Sequence, residues 1–124
     1  RDVNRYRWNL KNISNKLKVN NTKQNIFYNK LCNLLNIRRK QKAFHPNAQR
    51  LNLNLGSKVY GFKRISKDKK QTIICITNLS SKLQKTKINK KGKKIRNLLN
   101  SKINIENKKF LVLKPFETVW LSTI

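Results

Sequence analysis

Acidic side chains are nearly missing from this 124-residue chain: four Asp and Glu stand against 31 Lys and Arg, for a formal charge of +27. Histidine occurs once, at His45, and no Cys-x-x-Cys or His-x-x-x-His pairing accompanies it, so no metal site is expected. The two cysteines, Cys32 and Cys75, lie 43 positions apart in apolar surroundings and read as buried reduced thiols rather than a disulfide. No apolar run approaches the roughly 18 residues that would span a bilayer. The longest, Ile73-Ile74-Cys75-Ile76, is strand-sized, and no signal-peptide h-region opens the chain. Methionine is absent and the first residue is Arg1, so the chain is expected to be a processed product or a piece of a longer protein. Its length suits one domain, or a helix plus a small sheet, and falls well short of the roughly 250 residues of a catalytic barrel.

What is abundant is lysine, asparagine and isoleucine. A surface of this charge would release many counterions from a phosphate backbone, which favours a small basic RNA-binding protein of ribosomal type. Against that, the lysines run from Lys11 to Lys114 on every kind of segment, with the densest cluster at Lys87–Arg96. There are also 19 asparagines, some at positions such as Asn52 and Asn54 where a strand prefers Thr or Val. Lys, Asn and Ile together are what an AT-rich coding sequence yields without selection for binding. Composition alone leaves both explanations open.

Residues 1–12 read as a basic, aromatic loop leading into a helix. Ile26, Phe27, Leu31, Leu34, Leu35 and Arg38 then follow helical spacing, with the apolar members on one stripe. Thr22 is the expected N-cap, with Asn21 beside it. Arg38, Arg39, Lys40 and Lys42 occupy the expected last turns, where cations complement the helix dipole, and Pro46 leaves Phe44 and His45 outside. Such a stripe needs a partner surface.

After Pro46 the period becomes two. Strands are expected at Leu51–Leu55, Val59–Arg64, Gln71–Thr77, Lys82–Asn89, Ile95–Leu99, Ile103–Ile105, Phe110–Leu113 and Phe116–Leu121. Gly56-Ser57, Ser66–Lys70, Lys90–Lys94 and Pro115 supply turns or a bend. Gln71–Thr77 is the most apolar and the expected central strand, and the lysine-rich Lys82–Asn89 an edge. Tyr60, Phe62 and Trp120 are placed on inward-facing positions. The pattern predicts an all-β antiparallel sandwich with Greek-key joins.

Five blocks carry a more specific likeness. RDVNRYRW, LLNIRRKQKAFHPNA, LNLGSKVYGFKR, QTIICITNLS and FLVLKPFETVWLST resemble, in order and spacing, the C-terminal end of sucrose-phosphorylase-like enzymes of glycoside hydrolase family thirteen, in the α-amylase superfamily. The resemblance implies an α+β fragment: the last helical region of a (β/α)8 barrel followed by the all-β Greek-key sandwich. Residues 1–49 would close the catalytic barrel, with the helical region at about 13–42, and residues 50–124 would form the C-terminal domain.

It also implies an activity for the parent, a retaining α-glucoside phosphorylase that converts sucrose or a related glucoside and phosphate to α-glucose 1-phosphate. Two carboxylates perform such chemistry, and the resemblance places both upstream of this chain. Asp68, Glu106 and Glu117 read as solvated or lysine-paired, and Asp2 as a partner of Arg5, so the isolated chain is expected to be inactive, with no catalytic residue of its own. Arg1 inherits the family's substrate contact in the acceptor region, a role suited to a guanidinium fork. Tyr6 and Trp8 would pin that loop to the barrel, and His45 would pack between domains. No cofactor is implied. Sugar and phosphate would be met through the barrel, on which the helix stripe would pack; no membrane partner is expected, nucleic acid is disfavoured, and the setting would be cytoplasmic.

Overall fold

A computed structural model describes residues 7–88, 95–99, 103, 105–106 and 109–123. They fall into two compact units, one of residues up to Asn36 and one from Ile37 onward.

In the first unit, helix α1 (Leu10–Lys18) begins inside the stretch expected to be loop. Asn9 starts it: its side-chain oxygen accepts from the backbone N–H of Lys11 at 2.9 Å and of Asn12 at 3.3 Å, satisfying donors that a first turn leaves unpaired. Asn21 ends the connection in the left-handed region, φ 65°, which a short amide side chain tolerates better than most. Helix α2 (Lys23–Arg39) follows. Thr22 caps it as expected, its Oγ1 accepting from Asn25 N–H at 3.1 Å and its carbonyl from Ile26 N–H at 2.9 Å. The helical region is thus two helices rather than one, and Lys40 and Lys42 lie beyond its end. Lys42 instead opens a 3-10 turn, Lys42–Phe44.

In the second unit the chain forms two antiparallel sheets. β1 (Gln49–Leu53), β2 (Val59–Ile65), β3 (Thr72–Asn78), β8 (Thr118–Thr123) and β5 (Ile95–Asn97) make one in the order β1-β2-β3-β8-β5. β4 (Gln84–Lys87), β7 (Phe110–Leu113) and β6 (Ile105–Glu106) make the other in the order β4-β7-β6. β3 is central and β4 an edge, as the alternation predicts; Lys85 and Lys87 are exposed there, where lysine discourages further pairing. Phe116, expected to begin the last strand, sits instead at φ 55° in the turn before β8.

The two sheets enclose Val59, Ile76, Val119 and Leu121 from the larger and Leu111 and Leu113 from the smaller, all buried. Full burial of each such side chain contributes about 1.5–3 kcal/mol. A second, smaller cluster occupies the opposite face of the five-stranded sheet, where Ala43 and Phe44 of the 3-10 turn cover Ile73 and Cys75. The central strand therefore buries both faces, Ile74 and Ile76 toward the inter-sheet core and Ile73 and Cys75 away from it.

Loops are held by side chains. Ser66, 3% exposed, receives Gln71 N–H on its Oγ at 2.9 Å and donates that hydroxyl to Asp68 at 2.6 Å, closing the β2–β3 hairpin. Gly61 permits close packing: a Cβ there would stand 2.5 Å from Leu55 Cδ1.

Candidate functional site

Two of the four carboxylates are committed to turns. Asp68 accepts from Ser66 Oγ, from Lys70 N–H at 3.1 Å and from Lys42 Nζ at 3.3 Å. The serine hydroxyl above all, then the backbone N–H, hold its carboxyl at about 2, below the usual range. Glu117 accepts Lys114 N–H at 2.7 Å. Glu106 belongs to β6, and Asp2 lies outside the described residues. So do Arg1, the expected substrate contact, and Arg5 and Tyr6, as well as the whole of the turn expected at Lys90–Lys94. Trp8 is 55% exposed, with Lys16 Nζ 5.5 Å from its ring centre. His45 is exposed, its Nδ1 accepting Asn47 N–H at 3.2 Å.

Cys75 is buried and Cys32 only half-buried; both are free thiols. Burial pushes Cys75 up to about 12, so it is neutral near pH 7. Tyr28 is raised from its ordinary value by its hydrogen bond to Cys32. Among the described residues no group of three His, Cys, Asp or Glu could hold a metal ion, and no helix is long and apolar enough to cross a membrane.

The aromatic residues expected to point inward turn away from the inter-sheet core, although Phe62 and Trp120 pack on the second, smaller buried cluster. Phe62 pairs with Cys75, and Cys75 with Trp120, across β2, β3 and β8, and directly opposed residues in an antiparallel ladder share a face. That face is the one away from the smaller sheet. Tyr60, two positions from Phe62, shares it and is 44% exposed. Phe44 packs on Trp120 with ring centres 4.7 Å apart, and Tyr60 on Phe62 at 5.9 Å.

Arginines border these rings. Arg50 on β1 is directly opposite Arg64 on β2. Arg50 lies over the Phe62 ring at 4.9 Å and donates to the Tyr60 hydroxyl. Arg38 lies 5.8 Å from the Phe44 ring centre. Arg64 donates from Nε to the Ala43 carbonyl at 3.0 Å and from its terminal nitrogen to the His45 carbonyl, holding the 3-10 turn onto the sheet. Arg38, Phe44, Arg50, Phe62, Arg64, Cys75 and Trp120 together line a cavity of about 360 Å³. Residue pattern could have flagged Arg50 and Arg64, which alternate onto one face of adjacent strands, but not Arg38, which arrives from another element.

Helix α2 presents a different surface. None of its residues is buried, and Phe27, Leu31 and Leu35 are 69%, 40% and 51% exposed, with Leu34 half-buried. The stripe expected to require a partner is thus largely exposed among the described residues.

No protein-family model and no curated protein matches the sequence. Solved structures do match its fold. The structure of AmyP in complex with maltose superposes with a TM-score of 0.69 at 21% identity, over 86% of this chain and 22% of that one. An Anoxybacillus α-amylase gives 0.66 at 20% identity, over 85% of this chain and 24% of that one. Bacillus licheniformis trehalose-6-phosphate hydrolase gives 0.59 at 16% identity, over 89% and 20%. The chain spans a fifth to a quarter of the length of these structures, and at such identities the likeness is one of fold.

Proposed function

We propose that this chain is the C-terminal portion of a retaining, α-glucoside-active enzyme of the α-amylase superfamily, of the sucrose-phosphorylase type. The observation that carries the reading is the fold likeness over 86% of the chain to the maltose-bound AmyP structure, of which it spans only 22%. Proteins described as amylases and as a trehalose-phosphate hydrolase share that fold, and each acts on an α-glucoside by its description.

In this reading the chain supplies structure rather than chemistry. A retaining mechanism needs a nucleophile and an acid/base roughly 5–5.5 Å apart, and Asp68 and Glu117 are instead spent on hydrogen bonds to turn N–H groups. The working pair belongs to a barrel encoded upstream. The exposed stripe Phe27–Leu31–Leu34–Leu35 docks against that barrel, and Arg1 reaches the acceptor side of its active site. Phosphate, rather than water, then takes the glucosyl group from the enzyme, giving α-glucose 1-phosphate.

The upstream reading frame tests this directly. It is expected to encode a (β/α)8 barrel with two carboxylates on strand ends. A frame that encodes no such pair overturns the proposal.

A further inference from the structure

The cavity on the outer face of the five-stranded sheet is built in a way that its packing role does not explain. Arg50 and Arg64 are directly opposed on adjacent strands, and like charges so placed destabilise a sheet. Arg38 adds a third guanidinium to the same cavity. Among the described residues no Asp or Glu lines it, and Cys75, held neutral by burial, supplies no counter-charge. The Lys42–Asp68 ion pair lies in a separate depression lined also by His45, Ser66 and Lys67. The cavity thus gathers three positive groups and leaves them unneutralised.

Each guanidinium is held in place and only partly used. A guanidinium has five N–H donors. Arg64 donates to the Ala43 and His45 carbonyls and Arg50 to the Tyr60 hydroxyl, which leaves donors on both for a ligand. Cation–π contact with Phe62 and Phe44 holds Arg50 and Arg38 beside the cavity. Such prepaid placement is what lets a planar fork grip a tetrahedral oxyanion. Between the arginines the floor is apolar: Phe62, Cys75 and Trp120 form one cross-strand row.

The geometry points to a binding site for a small ring-bearing phosphomonoester, its phosphate held by Arg38, Arg50 and Arg64 and its ring lying on the Phe62–Trp120 floor. A volume of about 360 Å³ accommodates one ring and one phosphate, within the lower range of small-molecule pockets. This site does not rest on the parent-enzyme reading: binding to the chain and turnover by a longer polypeptide fail separately.

Titration of the 124-residue chain with phenyl phosphate, at about 0.15 M salt to screen its general positive charge, tests the site. Calorimetry gives the affinity, and the Trp120 indole N–H signal in a Trp8→Phe background gives the location. Saturable binding that shifts the Trp120 signal is expected, at least about tenfold tighter than for inorganic phosphate. Arg50→Gln and Arg38→Gln, whose folding the same spectra report, should each weaken it by about tenfold or more. Lys87→Gln, the same charge change on the other sheet, should shift it by less than about twofold. Three outcomes overturn the site: no saturation by about 20 mM, equal affinity for inorganic phosphate, or equal weakening by Lys87→Gln.

Discussion

Asn78, 1% exposed, donates its side-chain amide to the Lys114 carbonyl at 2.8 Å, joining the end of the central strand to the turn that precedes the last one. The same amide donates to the Lys82 carbonyl at 2.8 Å, while its oxygen accepts from Ser80 N–H at 2.9 Å and Ser80 Oγ at 2.8 Å. One buried side chain thereby satisfies backbone groups of two loops that carry the chain between the sheets. Asn78→Ala leaves those groups without partners and should cost about 1–3 kcal/mol in urea unfolding. Asn78→Asp keeps the acceptor but removes both donors and should cost at least as much.

Gly61 and Leu55 should be energetically coupled. Gly61→Ala places a Cβ 2.5 Å from Leu55 Cδ1, and displacing that side chain should cost about 1–3 kcal/mol. In a Leu55→Ala background the obstacle is gone, so the same glycine substitution should cost about 0.5 kcal/mol or more less. A double-mutant cycle of melting or urea data checks the sign; strict additivity would show that Leu55 is not what the glycine makes room for.

Asp68 gives the hairpin an acid dependence. Its folded value of about 2 lies below the ordinary carboxylate value, so its contribution is complete above the unfolded value and is lost as pH falls through the folded one. Amide exchange in the β2–β3 turn should accelerate across that window, at Lys70 and Gln71 first. Asp68→Asn should remove this pH dependence while leaving the core strands protected.

Docking through α2 is tested in the longer polypeptide. Leu34→Asp together with Leu35→Asp should lower its melting temperature and solubility far more than they change its acceptor preference, because both residues lie on the stripe. Melting equal to the unmodified protein would remove the helix from the interface.

Legibility from sequence followed the range of the interaction. Period two located the strands within a few residues, and Thr22 marked the start of α2, because alternation and capping are local. The edge position of β4 was legible from Lys85 and Lys87. Only the start of helix α1 was misplaced, in the stretch read as loop, although Asn9 is a standard cap and Leu10, Ile13 and Leu17 recur at helical spacing behind it. The side taken by Tyr60, Phe62 and Trp120 was misread for a different reason. Alternation separates two faces without saying which is the core, and the central strand is apolar on both. The cavity was legible only in part: alternation could pair Arg50 with Arg64, but Arg38 comes from a helix end that only the tertiary fold brings to them.

In the proposed function, catalysis belongs to the rest of a longer enzyme. Sucrose and inorganic phosphate should be incubated with the 124-residue chain and, separately, with the polypeptide extended through its upstream reading frame, following anomeric protons by NMR. α-Glucose 1-phosphate is expected from the extended protein and no turnover from the chain alone. Turnover by the chain alone, or an extended protein inert toward every α-glucoside offered, would contradict the proposed function.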